Sequence, residues 1–404
     1  MLFTPKVMAA LEEKRLHFRD YQVNLQAQEG LLADWLAWLR RQSASSLTTA
    51  LEQIAIAWPG ARPTPEFDRA PDLRLGFDQH WSSHVEARTW ALTILRDRPV
   101  AAVDGSQITP TKDLSIPIGA VQIGWFINFH QAGGRYIKDI TFDVLAPTEL
   151  TEGLDEASDQ AESNFPSQQV NRLRFLGECE RLCAIMAEYA NVAEEQRPLC
   201  FFDGSLIISF AGQLLPIHAQ AYVQAVRNVL AASERYRVPL VGFVDSSLSR
   251  DLVTLLEVLH AQPDELKLTD GGLIKLAGLL PRWGERTPLF FCARDDRLSR
   301  SGQADFYGDV AFSYIQLATE RPPARLELPR WLVEAGRAEE IINLVRAECV
   351  VGMGYPYAIE TADALAVISQ QDRQRFYALF EQFAQRSGLS LTQARKALSK
   401  QTRR

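Results

Sequence analysis

The 404-residue chain is 47% hydrophobic and 23% charged, a profile that suits a soluble globular protein with a sizeable core and room for one large domain or two ordinary ones. Its apolar runs, such as 199–202 and 289–292, are far shorter than the roughly 20 residues that cross a bilayer, and no charged-then-apolar leader opens the sequence, so a cytoplasmic protein without membrane contact is expected. A net charge of −7 excludes a protein that coats nucleic acid through uniform basicity, though not one with a locally basic channel.

Residues 1–95 read as a helical extension, with apolar residues at helical spacing in Leu31, Trp35 and Leu39 and again from Trp81 to Leu95, interrupted by the proline-bearing stretch 58–71. After Arg98-Pro99 the period changes, and 100–103, 120–129 and 136–144 read as three antiparallel strands joined by Gly- or Pro-containing turns. Residues 149–162 hold six acids and no base, the pattern of a surface loop, and lead into a helix over 168–189. A short apolar strand at 199–203, a helix near 218–235 and a buried strand at 239–244 follow. Further helices are expected at 250–260 and 271–280, and strands at 289–292 and 310–316. From Pro329 the pattern is helical, broken at 352–357, and it ends in a basic tail with six bases and no acid from Arg386 to Arg404.

Five cysteines, Cys179, Cys183, Cys200, Cys292 and Cys349, lack a Cys-x-x-Cys spacing and sit mostly in apolar runs, which suits reduced core thiols rather than a zinc site. There is no Gly-x-x-x-x-Gly-Lys-Ser/Thr loop and no Gly-x-Ser-x-Gly elbow, so neither nucleotide hydrolysis nor a serine hydrolase is supported. Three antiparallel strands, a helix, then alternating strands and helices describe an α/β protein with a mixed sheet flanked by helices, the order used by the RNase H-like fold.

Cleavage of a phosphodiester by two divalent ions needs several carboxylates within a few ångströms of one another. Asp104 and Asp203 each follow an apolar run and each precede Gly-Ser, 99 residues apart. Asp-Gly is also a favoured turn dipeptide, and one copy alone would read as a turn. Two copies at equivalent strand ends argue for ligands instead. On the intervening helix Glu178 shares a face with Asn171, Arg174, Phe175 and Leu182, so it points toward the sheet, where a carboxylate needs either a metal or a partner such as Arg174. Glu180, well round the helix, is expected in solvent. In Gly354-Tyr-Pro-Tyr-Ala-Ile-Glu-Thr-Ala-Asp363, Pro356 can open a helix that holds Tyr355 at the mouth of the site and turns Asp363 inward, with Glu360 the competing acid.

With these residues in view, the sequence resembles the NurA nuclease family of archaeal and bacterial DNA-end processing. The resemblance runs over residues 99–369 and rests on Val-Asp104-Gly-Ser-Gln-Ile, the Arg174-to-Glu178 helix, Asp203-Gly-Ser-Leu-Ile, Gly284-Glu-Arg-Thr-Pro-Leu-Phe, and Gly354-Tyr-Pro-Tyr through Asp363. It implies an RNase H-like nuclease domain over 96–370 between the extension at 1–95 and a basic helical tail at 371–404. It further implies a homodimer with a central channel and Mn²⁺- or Mg²⁺-dependent cleavage of DNA, 5′-to-3′ from ends and internally in single strands. A HerA-type hexameric ATPase is the implied partner. The implied metal ligands are Asp104, Glu178 and Asp203, with Tyr355 in support. Asp363 stands where archaeal members carry histidine; aspartate is a good oxygen ligand but lacks the imidazole pKa near neutrality.

Candidate contacts to nucleic acid are Ser106 and the run Arg282, Arg286, Arg294, Arg297 and Arg300, with Trp283, Phe290 and Phe291 interleaved, although Glu285, Asp295 and Asp296 in the same stretch allow local pairing instead. Asp245 is a further acid at a strand end. Two other readings stay open: a nuclease-derived dimer that only docks in a DNA-processing complex, and an enzyme acting on RNA or hybrids, since carboxylate chemistry at phosphate does not itself read the 2′-hydroxyl.

Overall fold

Nine strands form among the described residues, which are 2–151, 165–262, 266–318 and 321–392 of a computed structural model, and seven of them are runs carrying β-branched or aromatic residues. They are β1 (Gly60–Pro63), β2 (Val100–Ile108), β3 (Gly119–Asn128), β4 (Tyr136–Leu145), β5 (Leu199–Asp203), β6 (Leu240–Val244), β7 (Phe290–Ala293), β8 (Val310–Ile315) and β9 (Ala324–Pro329). The chain divides into two compact units, one made of residues 1–80 and 243–330, the other of 81–242 and 331–404.

This division differs from the expected helical extension, nuclease domain and tail. Residues 1–80 are not helical throughout: β1 pairs antiparallel with β7, Gly60 opposite Ala293 through Pro63 opposite Phe290. Its proline hid it in the sequence, and a proline is tolerated here because the strand lies at a sheet edge. In the same unit β7, β8 and β9 run antiparallel. β9 also went unforeseen, because Ala-Arg-Leu-Glu-Leu-Pro does not read as a buried strand. Yet Arg325 and Glu327 are fully buried, with Arg325 Nε 2.6 Å from Glu327 Oε1 and Nη1 2.7 Å from Asp251 Oδ2. Burial of such charges is possible only because they are paired. Leu32, Trp35, Leu36 and Leu39, on the helix Arg15–Leu39, are buried in this unit.

The second unit carries the strand order β6-β5-β2-β3-β4, an RNase H-like order. β2, β3 and β4 are antiparallel over nearly their whole lengths, and β2 runs parallel to β5. The helix Phe165–Glu188 covers one face of β2 and β3, and the helix Tyr357–Ala366 covers the other. Both approaches depend on glycine. A Cβ on Gly105 would stand 2.6 Å from Glu178 Oε1 and 2.8 Å from Arg174 Cγ, and one on Gly124 would stand 3.0 Å from Ala366 N and 3.1 Å from Leu365 Cβ.

The helix Gln370–Arg386, expected as part of a tail, packs within this unit: Tyr377 Oη donates to the Thr109 carbonyl at 3.3 Å and Phe376 lies beside Phe142. The five cysteines are all free, four of them buried and Cys183 half-buried. Residues 152–162 of the expected acidic loop and the end of the basic tail (393–404) lie outside the described residues. Among the described residues no helix is long and apolar enough to cross a membrane.

Gly124→Ala is expected to destabilise the protein by about 1–3 kcal/mol, the ordinary range for inserting a methyl into a filled contact. Thermal and urea unfolding against the parent measure this; an unchanged midpoint would mean that the Tyr357–Ala366 helix has room to give.

Candidate active site

The register of one strand pair brings the first two acids together. β5 pairs with β2 only as far as Val103 opposite Phe202, so the next residue on each strand, Asp104 and Asp203, stand side by side where the parallel ladder stops. Neighbouring strands lie about 4.8 Å apart, and side-by-side residues share a face. β2 itself continues to Ile108 against β3, with Asp104 opposite Gly124. The first Asp-Gly-Ser is therefore not the strand end that its sequence suggested. It is mid-strand, on the flank that β5 leaves open. The second is a turn, with Gly204 at φ 131°, where a side chain would be strained.

Because Asp104 is opposite Gly124, it shares the face covered by the Tyr357–Ala366 helix. Pro356 is the N-cap of that helix, and Tyr355, just before it, donates its hydroxyl to Asp203 Oδ1 at 2.9 Å. Glu348 Oε2 accepts from the Ala358 N–H at 2.9 Å at the start of the helix, and Gln122 Nε2 reaches the Leu365 and Ala366 carbonyls at 3.2 and 3.0 Å at its end. Asp363 is exposed on this helix, close enough for its charge to raise the pKa of both Asp104 and Asp203. Glu178 arrives from the opposite face. Its side chain is 13% exposed, lies over Gly105 and is ion-paired with Arg174, which also donates to the Gly105 carbonyl at 3.3 Å. Glu180 is exposed.

Four acids thus converge on one flank of β2, and among the described residues the cation whose charge reaches them is Arg174. Burial, and then the charges of Asp203 and Asp363, raise the Asp104 carboxyl to about 6 against the pull of the Gly105 amide and Arg174. Burial raises Glu178 to about 7, with Asp104 and Asp203 adding to it and Arg174 opposing. Asp203 is raised by burial and by Asp363, while the Tyr355 hydroxyl and Arg174 hold it down. Carboxylates whose mutual repulsion is left unrelieved fit a divalent cation, a hard ion that takes oxygen ligands. As they stand, no three acid, imidazole or thiol groups among the described residues are close enough to enclose an ion. Glu178, drawn onto Arg174, would have to turn toward Asp104.

Most of the other candidates are engaged by partners of their own. Arg286 is 1% exposed, and both its Nη atoms grip Glu66 at 2.7 Å, so it has no surface to offer a phosphate. Arg294 binds Asp251 and Ser249, Arg282 and Arg300 pair with Glu285 and Asp295, and Arg297 is exposed. Trp283 donates to the Leu317 carbonyl and Phe290 is buried. All belong to the first unit, as does Asp245, 3.8 Å from Arg321, whereas every acid of the site belongs to the second. Ser106 Oγ accepts from the Ile368 N–H at 3.4 Å. Two positioning residues had escaped notice, Gln122 and Glu348, and Gly105, expected to make a turn, lies in mid-strand and admits the Glu178 side chain. The signal for Gln122 is a lone amide in the apolar run of β3.

A sheet of this order with acids gathered where its parallel pair ends is that of a nuclease. The NurA domain matches residues 98–368, two-thirds of the chain, and the chain belongs to the NurA family. Among solved structures it is similar to a NurA with manganese (10% identity, 71% of this chain and 89% of that one, TM-score 0.41) and to a NurA structure without that description (9%, 71% and 88%, 0.40). It is also similar to an endonuclease V from Bacillus subtilis (11%, 77% and 98%, 0.31). With scores this low, the assignment rests on the family match. No curated protein matches the chain.

The raised carboxyls carry a sign for stability. An acid whose pKa is higher in the folded state binds its proton more tightly there, so its contribution is present at low pH and is lost as pH rises from the ordinary carboxylate range through the folded value. In the metal-free protein, Glu178→Gln should therefore gain thermal stability relative to the parent progressively between about pH 4.5 and 7, then level off. A difference that is flat or falls over that interval would contradict the burial of Glu178 among like charges.

Proposed function

We propose that this nuclease is a divalent-metal-dependent DNA phosphodiesterase in which Asp104, Glu178 and Asp203 hold Mn²⁺ or Mg²⁺, in all two ions, and Asp363 assists. The observation that carries the reading is the placement of Asp104 and Asp203 side by side at the end of the β2/β5 ladder, within reach of the charges of Glu178 and Asp363.

When bound, two such cations would lower the pKa of the attacking water and offset charge on the leaving 3′-oxygen. The chain's own groups prepare for that. Tyr355 fixes the carboxylate plane of Asp203 through its hydroxyl, an arrangement in which an outer group orients a ligand. Arg174 pairs with Glu178 beside the site and opposes the burial that raises its carboxyl. Gln122 and Glu348 hold the two ends of the helix that carries Asp363.

The reading extends to 5′-to-3′ cleavage from DNA ends and internal cleavage of single strands, to a homodimer, and to partnership with a HerA-type hexameric translocase. Family membership supports these extensions, together with a sequence that has no phosphate-binding loop of its own and so would draw ATP-driven movement from another protein.

Asp104→Asn should abolish Mn²⁺-dependent degradation of labelled duplex and single-stranded DNA, a loss of at least about a hundredfold for removing a metal ligand. Calorimetric titration of the parent with Mn²⁺ should show binding that the variant lacks. A variant that cleaves at the parental rate, or a parent that binds no Mn²⁺, would defeat the proposal; a parent that binds DNA without cutting it would favour a docking protein, and preferential cutting of RNA or hybrid would change the substrate.

A further inference from the structure

After the turn at Gly204 the chain runs through a short helical turn, Ser209–Gln213, on which Phe210 is 49% exposed. This ring is not a stray surface residue. It meets Tyr222 at 5.3 Å and 85° and Phe175 at 6.2 Å and 75°. Phe175 in turn lies 5.9 Å from Phe202, the neighbour of Asp203, and stands one helical turn before Glu178. A half-open aromatic ring is thus braced, through buried rings, on the two elements that carry the acids.

A cationic group accompanies it. Arg172, one turn before Phe175, has Nη1 2.9 Å from Nδ1 of His218, itself one turn before Tyr222 on the helix Pro216–Tyr236. A guanidinium can only donate, so Nδ1 accepts and the imidazole is neutral; burial and the Arg172 charge both push the His218 pKa down. Among the described residues no carboxylate pairs with Arg172.

An exposed aromatic ring packed on Tyr222, which the charge of Arg172 reaches, is a combination with which proteins hold single-stranded nucleic acid, the ring stacking on a base and the cation meeting the backbone. Building on the reading of the acids as a DNA-cleaving site, we propose that Phe210 is the stacking platform for an unpaired base of the DNA strand being cut, with Arg172 meeting a neighbouring phosphate. The substrate entering the acids is then a single strand, or the frayed end of a duplex.

The test uses the full chain with Ca²⁺ in place of Mn²⁺ and oligo(dT) strands carrying 2-aminopurine at successive positions. In the parent, fluorescence should be quenched at one position. Phe210→Ala should relieve that quenching and weaken binding by about five- to a hundredfold, the range for losing one base–aromatic stack, whereas Phe210→Trp should keep both. Arg172→Ala should reduce the slope of log affinity against log salt by about 0.7, one single-strand phosphate contact, while Phe210→Ala leaves the slope alone. Phe383→Ala, at an exposed ring on the Gln370–Arg386 helix, should change nothing. Absence of positional quenching in the parent, or a Phe210→Ala variant that binds and quenches like the parent, overturns the proposal. If that variant behaves so while the parent cleaves DNA with Mn²⁺ and Asp104→Asn does not, the stacking role alone falls; cleavage undiminished in Asp104→Asn removes the reading beneath it.

Discussion

The early end of β5 is the constraint on which the site depends. A parallel ladder that stops at Val103 and Phe202 leaves two successive acids, one on each strand, with no backbone partner beyond them on that side. Their proximity follows from the ladder spacing and not from attraction, since like charges at this separation repel. What holds them is everything that fixes the strands: β3 along the other edge of β2, and a helix on either face seated on a glycine at 105 and 124.

Stability and function oppose one another here. The folded chain keeps Asp104 and Glu178 poised near neutrality by burying them among like charges, a state that costs stability above the ordinary carboxylate range and that a divalent cation would relieve. Arg174 offsets part of the cost at Glu178. The first unit shows the other way of burying charge. There Asp251, Arg294, Arg325 and Glu327 are matched in ion pairs, and Asp251 is held below its ordinary value by Arg294 and Arg325 in spite of burial. Matched charges of that kind build a core; unmatched ones mark a site.

Much of this was legible in the sequence. Apolar runs ending in Asp-Gly-Ser located the two strand positions, helical spacing turned Glu178 toward the sheet, and Pro356 marked the start of the helix that carries Asp363. Other features were not, for physical reasons. β2 reads as ending at Val103 because its later residues, Asp104 to Gln107, lose the apolar character that a neighbour on both sides would demand, although β3 still pairs with them. β9 reads as polar because its charges are matched by residues far away in sequence, which periodicity cannot show. The arginines from 282 to 300 look like a phosphate-binding run until their partners are seen, and Glu66, more than 200 residues away from Arg286, leaves no local trace.

The central claim is that Asp104, Asp203 and Glu178 form one metal site. It is tested most directly by a crystal structure of the protein soaked in Mn²⁺, with anomalous diffraction recorded to locate manganese. The account predicts anomalous density bridging Asp104 and Asp203, within about 2.0–2.3 Å of carboxylate oxygens as for other hard divalent ions, with Glu178 turned from Arg174 toward it. Manganese elsewhere, or density touching neither aspartate while Glu178 stays on Arg174, would contradict it.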